Sequence, residues 1–132
     1  MSRIATLFVS LTLSAAATTA LAESHGNDLV HAREYRGSVY MMNQAHMTLY
    51  VHDGDGPNLS ACTGECAEIW PPALLPEGSE LGENYTLFRR DDGTMQIAYK
   101  GRPLYLYSGD TRVGQTNGDG IGGIWSIARP TE

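Results

Sequence analysis

The stretch Arg-Pro-Leu-Tyr-Leu-Tyr-Ser-Gly-Asp at residues 102–110 has a counterpart at residues 47–55, which reads Met-Thr-Leu-Tyr-Val-His-Asp-Gly-Asp. One ungapped offset of 55 residues superimposes the two stretches and continues past them. The positions that keep their residue type are Leu49 and Leu104, Tyr50 and Tyr105, Gly54 and Gly109, Asp55 and Asp110, Ile69 and Ile124, Trp70 and Trp125, and Ala73 and Ala128. An offset this constant indicates a tandem repeat, so we expect two similar substructures.

Each stretch is typical of a β-strand that ends in a tight turn. Side chains alternate between the faces of a strand, so Leu104 and Leu106 share one face while Tyr105 and Tyr107 share the other. In an extended chain, Asp110 would lie about 16 Å beyond Tyr105. The carboxylate therefore reaches this phenol only if the turn folds back; otherwise it accepts backbone N–H groups within the turn, which is the interpretation that we favour.

The second copy fits a Tyr-x-aromatic-x-x-Asp pattern from Tyr105 to Asp110, whereas the first copy has His52 in the aromatic position. On this motif, and on the loop from Cys62 to Cys66 that leads into Trp70-Pro71-Pro72, the chain resembles a family of secreted and lipoprotein repeats named for the motif. The resemblance covers roughly residues 39–130. It implies an exported repeat protein, and the family itself is largely of unknown function.

Residues 1–22 have the three regions of a secretory signal peptide: a basic start at Arg3, an apolar run, and small residues up to Ala22. The apolar run is shorter than the roughly 20 residues that a membrane span needs, and no later segment is apolar enough to be predicted as transmembrane. No cysteine follows Ala22 directly. We therefore expect an exported protein, periplasmic or secreted, that carries no lipid anchor.

The charge balance narrows the choice of partner. The sequence has 15 acidic and 9 basic residues, and removal of Arg3 with the signal peptide changes the net charge from −6 to −7. Nucleic acids and anionic membrane surfaces are bound by clustered lysines and arginines, but Lys100 is the only lysine and no basic run exists. Nucleic acids and anionic membrane surfaces are therefore disfavoured, and the expected partner is an unknown protein or a component of the cell envelope. The sequence does not predict an oligomeric state.

The fold class predicted for the mature chain is all-β: one small antiparallel domain made of two tandem similar repeats. Its 15 glycines and 6 prolines, with short runs of β-branched and aromatic residues, are typical of a meander. A short helical turn is predicted near Cys62 to Trp70, ended by Pro71-Pro72. The predicted boundaries are a flexible lead-in at residues 23–36 and a domain at residues 37–132, with copies at about 37–83 and 84–132.

Cys62 and Cys66 are the only cysteines, and an oxidising compartment normally joins such a pair. Cβ atoms four residues apart on a helix are roughly 5–6 Å apart, more than the about 3.8 Å of a disulfide. The bond therefore requires an irregular turn between the cysteines. A redox or metal-binding thiolate pair is the alternative, although the spacing fits neither the thioredoxin-type motif nor the haem attachment motif.

We expect a non-enzymatic binding or envelope-associated module without a cofactor. The motifs Gly-x-Ser-x-Gly and His-Glu-x-x-His are absent, so the strongest catalytic signatures are missing. The motif residues are interpreted as structural, and Trp70 and Trp125 are expected to be buried as corresponding core anchors.

The alternative function is periplasmic copper handling by His46, His52 and Met47. Imidazole and thioether groups suit copper, and Met41 and Met42 lie close by in the sequence. Along an unbroken strand, however, the two imidazoles would be roughly 20 Å apart. A mononuclear site would therefore require His46 to be displaced into a hairpin turn, or a ligand from the second copy.

Overall fold

The structure is a computed structural model that describes Ser10 and residues 29–131. The predicted signal peptide, apart from Ser10, and residues 23–28 of the predicted lead-in lie outside the described residues. The elements in chain order are β1 (Val30–Tyr35), β2 (Ser38–Asn43), β3 (Tyr50–His52), α1 (Glu65–Ile69), β4 (Tyr85–Arg89), β5 (Met95–Tyr99), β6 (Arg102–Pro103), a 3₁₀ turn (Ile121–Gly123) and β7 (Trp125–Ile127). The predicted all-β class is confirmed. Within the described part of the chain, no helix is long and apolar enough to cross a membrane.

The strands form three small antiparallel sheets, β1–β2, β3–β7 and β4–β5–β6. In the sheet β3–β7, Tyr50 lies opposite Ile127 and His52 lies opposite Trp125. The motif strand of the first copy is therefore paired with the end of the chain. Its connection to β2 is looser, through a bridge between Met42 and Thr48.

Strand β1 lies where the sequence predicts a flexible lead-in, so the lead-in prediction is wrong for residues 30–35. Val30 is only 3% exposed and packs into the core. The hairpin to β2 turns through Arg36 and Gly37, which have φ values of 50° and 80°. Positive φ at both central residues is the geometry of a type I′ hairpin turn, whose usual signature is Asn-Gly. Arg36-Gly37 lacks this signature, so the hairpin turn was not predicted from the sequence.

An approximate twofold axis relates the two copies, and it passes between Tyr50 and Tyr105. These two residues exchange both backbone hydrogen bonds, with N to O distances of 2.8 and 2.9 Å. The amide of Ala128 donates to Leu49 (2.8 Å), and at the equivalent place the amide of Ala73 donates to Leu104 (2.9 Å). The end of each copy thus completes the sheet of the other copy.

Two core clusters flank this axis. The first is aliphatic and contains Val30, Met41, Leu49, Val51, Ala73, Ile97, Leu104 and Ala128. The second is aromatic and contains Tyr50, Cys62, Trp70, Tyr105, Trp125 and Ile127. Residues that alternate along each motif strand enter different clusters, as the alternation of leucine and tyrosine predicts.

The short helix α1 and the disulfide lie within the first copy, on the segment that connects β3 to Trp70. Cys62 and Cys66 are joined, with their Cα atoms 5.2 Å apart, as predicted for an exported chain. Gly64 has a φ of 60° immediately before the helix, a positive value that glycine adopts without the steric cost of a Cβ atom. This is the irregular turn that the short disulfide loop requires.

Candidate functional site

The tyrosine and aspartate of the motif bond across the two copies rather than within one copy. The Tyr50 hydroxyl donates to Asp110 Oδ2 at 2.5 Å, and the Tyr105 hydroxyl donates to Asp55 Oδ2, also at 2.5 Å. Both phenol side chains are fully buried. Along one extended strand, the tyrosine and aspartate of a single copy would be too far apart to bond. The twofold relation removes this obstacle, because the carboxylate that each tyrosine contacts comes from the other copy.

The second oxygen of each carboxylate fixes a loop. Asp55 Oδ1 accepts the amide of Ala61 at 2.7 Å, and Asp110 Oδ1 accepts the amide of Asn117 at 3.0 Å. Each aspartate thus joins its own loop to a tyrosine of the other copy. Hydrogen bonds to an ionised acceptor are short and strong, so the two pairs act as struts between the copies.

Burial raises the pKa of both Tyr50 and Tyr105 far above the ordinary value of 10, and the hydrogen bonds to Asp110 and Asp55 raise each pKa further. Both phenols are therefore neutral donors at physiological pH. A general base must be able to lose its proton near the working pH. These tyrosines do not meet that condition.

Four rings form a stack through the twofold axis, in the order His52, Trp125, Trp70 and Tyr107. The two indoles lie parallel, with a 3.9 Å centroid separation and an interplanar angle of 3°. The outer rings lie less parallel: the His52 centroid is 4.5 Å from that of Trp125 at an interplanar angle of 50°, and the Tyr107 centroid is 4.4 Å from that of Trp70 at 30°. Both tryptophans are only 5% exposed. The aromatic position of the motif is therefore the outer ring of a stack, and an imidazole fills it in the first copy.

The glycine of the motif lies directly under this outer ring. A Cβ atom at Gly54 would be 2.7 Å from His52 Cε1, and one at Gly109 would overlap the Tyr107 ring. Cβ atoms essentially never make contacts this short, so the ring would have to move out of the row. The spacing aromatic-x-Gly-Asp is thus a packing requirement that both copies share.

A buried arginine network was not predicted from the sequence. Arg90, which is 9% exposed, donates to Gln96 Oε1 (2.7 Å), to Ser60 Oγ (3.0 Å) and to the Cys62 carbonyl (2.8 Å). Ser60 Oγ is in turn 2.6 Å from the Tyr105 hydroxyl. The network connects the disulfide loop to the Tyr105 strut. Its members are far apart in sequence and form no local pattern.

The residues predicted as copper ligands do not form one cluster. His46 lies in the turn after β2, with a φ of 62°, and its ring contacts His31 and Arg33. His52 instead packs against Trp125, with the two ring planes tilted by 50°. Met47 is half-buried and donates its amide to Asn43. Among residues 29–131, no group of three histidine, cysteine, aspartate or glutamate side chains is placed to hold a metal ion.

A cleft of about 330 Å³ lies where the turn after β3 meets the turn between β5 and β6. It is lined by His52 and by two acidic and two basic residues, Asp53, Asp55, Lys100 and Arg102. The Asn58 amide donates to the Gly101 carbonyl at 2.8 Å, which ties one wall of the cleft to the other. The cleft is therefore preformed by backbone contacts between the copies.

Two of the cleft charges pair only weakly. Arg102 Nη2 is 3.6 Å from Asp53 Oδ1, and both side chains are more than half exposed. Lys100 Nζ donates to the Thr131 carbonyl on the exposed surface. Exposed ion pairs contribute about 0 to 1 kcal/mol. A ligand can replace such contacts at small cost.

His52 is held at the edge of the cleft by its Nδ1 atom. This atom is 3.2 Å from the Gly54 amide nitrogen and 3.5 Å from Asp55 Oδ1. The Gly54 amide contact is the shorter one and makes Nδ1 an acceptor, which assigns the ring proton of the neutral imidazole to Nε2. Nε2 is then the donor that remains for a ligand.

The sequence comparison agrees with the twofold architecture. Residues 39–74 and 86–129 match the model of a family described as a secreted repeat of unknown function. The matches fall one in each copy and together span more than half of the chain. The protein therefore belongs to this family of secreted repeats. No match was found among curated proteins or among solved structures.

Proposed function

We propose that the protein is an exported, non-enzymatic binding module that acts without a lipid anchor. Its ligand site is the cleft between Asp53, Asp55, Lys100 and Arg102. The ligand class is a small molecule or chain terminus that carries an anionic and a cationic group a few ångströms apart.

A comparison of the two copies carries this proposal. The offset of 55 residues places Ser108 at the position of Asp53, Met47 at that of Arg102, and Ala45 at that of Lys100. The motif tyrosine, glycine and aspartate occur in both copies, but each of these three charges occurs at only one of its two equivalent positions. The fold is therefore satisfied without the charges, and their convergence on a preformed cleft is best explained by a ligand.

The arrangement of charge favours a zwitterion over a simple ion. Lys100 and Arg102 are two residues apart and provide donors for a carboxylate or similar anion. Asp53 approaches Arg102 from the opposite wall and provides an acceptor for an ammonium group. A simple anion that displaced Arg102 from Asp53 would leave Asp53 without a partner, and a simple cation bound by Asp53 would leave Arg102 without one.

The state of the motif residues supports the non-enzymatic part of the proposal. The phenols are buried and fully engaged by carboxylates, and their raised pKa values keep them protonated. The groups that most resemble acid–base catalysts are thus used as struts between the copies.

The test is an NMR amide titration with glycylglycine, acetate and methylammonium as separate probes. We expect saturable shifts at Gly54, Gly56 and Gly101 with glycylglycine and much weaker effects with the other two probes. The triple variant Asp53→Ser, Lys100→Ala, Arg102→Met gives the cleft the side chains found at the twofold-equivalent positions 108, 45 and 47. It should weaken binding at least about tenfold, which corresponds to 1.4 kcal/mol.

The matched control removes one acid and one base outside the cleft, with Asp91→Ser and Arg36→Met, and should leave binding unchanged. Saturation by acetate alone with equal affinity would exclude the zwitterion class. A glycylglycine response that persists in the triple variant, or none in the wild type, would overturn the cleft as the binding site.

A further inference from the structure

We propose that His31, Met42 and His46 form a second site, which binds a soft monovalent metal ion of the Cu(I) type. The site shares no residue with the cleft and does not depend on the function proposed for it. It also differs from the ligand set expected from the sequence, since His52 belongs to the aromatic stack.

The strand register brings the three candidate ligands together. His31 lies directly opposite Met42 in the β1–β2 pair, and Met42 lies opposite Thr48 in the adjoining bridge. Residues directly opposite in an antiparallel pair project from the same face. An imidazole, a thioether and a hydroxyl therefore follow one another across three chain segments. The His46 ring packs edge-on against His31, with a centroid separation of 5.2 Å.

Two polar side-chain atoms in the row formed by His31, Met42 and Thr48 are buried without a hydrogen-bond partner in the described part of the chain. Within residues 29–131, three buried side-chain nitrogen or oxygen atoms have no hydrogen-bond partner, and two of them are His31 Nδ1 and Thr48 Oγ1. Both belong to the residues that flank Met42. Buried polar atoms nearly always have a partner, so a ligand or an ordered water belongs here. An ion bound by His31 Nδ1 and the Met42 sulfur would satisfy the first of these atoms.

The second copy again shows that the fold does not require these side chains. Its equivalent row is Thr86, Ala98 and Pro103, which pair in the same register. The turn position of His46 is taken by Gly101, which also has a positive φ, of 81°. Thr86, Ala98 and Gly101 thus replace the three candidate ligands, and none of them carries an imidazole or a thioether.

The donor set selects the kind of metal. Imidazole and thioether groups are neutral and suit Cu(I), whereas calcium and magnesium require oxygen ligands and structural zinc takes no thioether. With metal–nitrogen distances of about 2.0 Å, one ion could bind a nitrogen of each ring at the observed ring spacing. The nitrogen–metal–nitrogen angle would then be roughly 110°. A neutral donor set suits a monovalent ion better than a divalent one.

The ion can enter from an open depression of about 560 Å³, lined by His31, Ala32, Arg33, Gln44 and His46. Arg33 Nη1 is 2.7 Å from His46 Nδ1. The same Nη1 atom is 3.0 Å from His46 Nε2. Because a guanidinium only donates hydrogen bonds, it bonds to whichever ring nitrogen is unprotonated, and that nitrogen can bind a metal once Arg33 moves aside. Arg33 is exposed, so it can swing away when the ion enters.

The experiment is anaerobic competition for Cu(I) against bicinchoninate, with ascorbate as the reductant so that the disulfide stays intact. We expect one equivalent of Cu(I) bound per chain. His31→Ala, His46→Ala and Met42→Leu should each weaken binding about tenfold or more, since even the loss of a residue that only orients a metal ligand typically lowers metal affinity by about 10- to 100-fold. Zn(II) should compete poorly, and Arg33→Ala should not weaken binding.

His52→Ala is the matched control and should leave the affinity unchanged. Titration of the wild type with Ag(I), followed by NMR, should shift the Met42 methyl resonance together with the His31 and His46 ring resonances, which makes the test independent of how any variant folds. The proposal is wrong if the wild type takes up no stoichiometric Cu(I), since water would then fill the site. It is also wrong if Cu(I) binding survives in the variant lacking both His31 and His46.

Discussion

Loss of one strut between the copies gives the sharpest test of the architecture. Tyr50→Phe removes the hydroxyl that donates to Asp110 at 2.5 Å but keeps the buried ring. The carboxylate of Asp110, which is only 8% exposed, then loses a charge-assisted partner. Hydrogen bonds to charged groups contribute about 1.5–3 kcal/mol, so we expect the free energy of unfolding to fall by about 2 kcal/mol. For a domain of this size, that lowers Tm by roughly 10 °C.

The partner assignment is tested by double-mutant cycles in urea unfolding, followed by fluorescence of the stacked tryptophans. Tyr50→Phe combined with Asp110→Asn should show a coupling energy of about 1.5 kcal/mol or more, because the two groups are in contact. Tyr50→Phe combined with Asp55→Asn should be additive within about 0.5 kcal/mol. Coupling between Tyr50 and Asp55, or none between Tyr50 and Asp110, would refute pairing across the copies. Tyr40→Phe, at the margin of the aromatic cluster, serves as the control.

Two further predictions concern pH and packing. Burial raises the pKa of Tyr85 to about 12 and those of Tyr50 and Tyr105 still further. Folded-state pKa values above the unfolded value of about 10 stabilise the fold below pH 10 and cease to do so as the pH rises above it. In a 295 nm titration, Tyr85 should therefore ionise near pH 12, and Tyr50 and Tyr105 only with unfolding; ionisation of all seven tyrosines near pH 10 in folded protein would contradict this. Gly118→Ala would place a Cβ atom 2.7 Å from an indole carbon of the stack and should cost about 2 kcal/mol in urea unfolding. Gly82→Ala, where the nearest atom is 3.9 Å away, should change stability by less than about 0.5 kcal/mol.

The repeat offset was enough to predict the equivalence of the two motif strands and the all-β class. The offset aligns Tyr50 with Tyr105 and Trp70 with Trp125, and the structure places both pairs on the twofold axis. The offset alone does not say whether a copy completes its own sheet or that of its neighbour. That choice depends on long-range pairing, such as Ala128 with Leu49, which leaves no local pattern in the sequence.

The same limit applies to β1 and to the candidate sites. Val-His-Ala-Arg-Glu-Tyr has no clear alternation, and it is a strand because β2 pairs with it along its whole length. His31 could be associated with His46 only once that register was known. The cleft likewise joins turns from different copies, so its charges appear as scattered surface residues in the sequence.

Because Ala128 and Ile127 complete the sheet of the first copy, that copy cannot be assembled until almost the whole chain is available. Folds that depend on contacts between distant residues form slowly, since the loop must close before those contacts stabilise it. A member of a secreted family that emerges from a membrane N-terminus first would therefore remain unfolded while its first half appears. The order of the strands thus delays folding until translocation is nearly finished. The chain therefore remains unfolded, and able to cross the membrane, until that point.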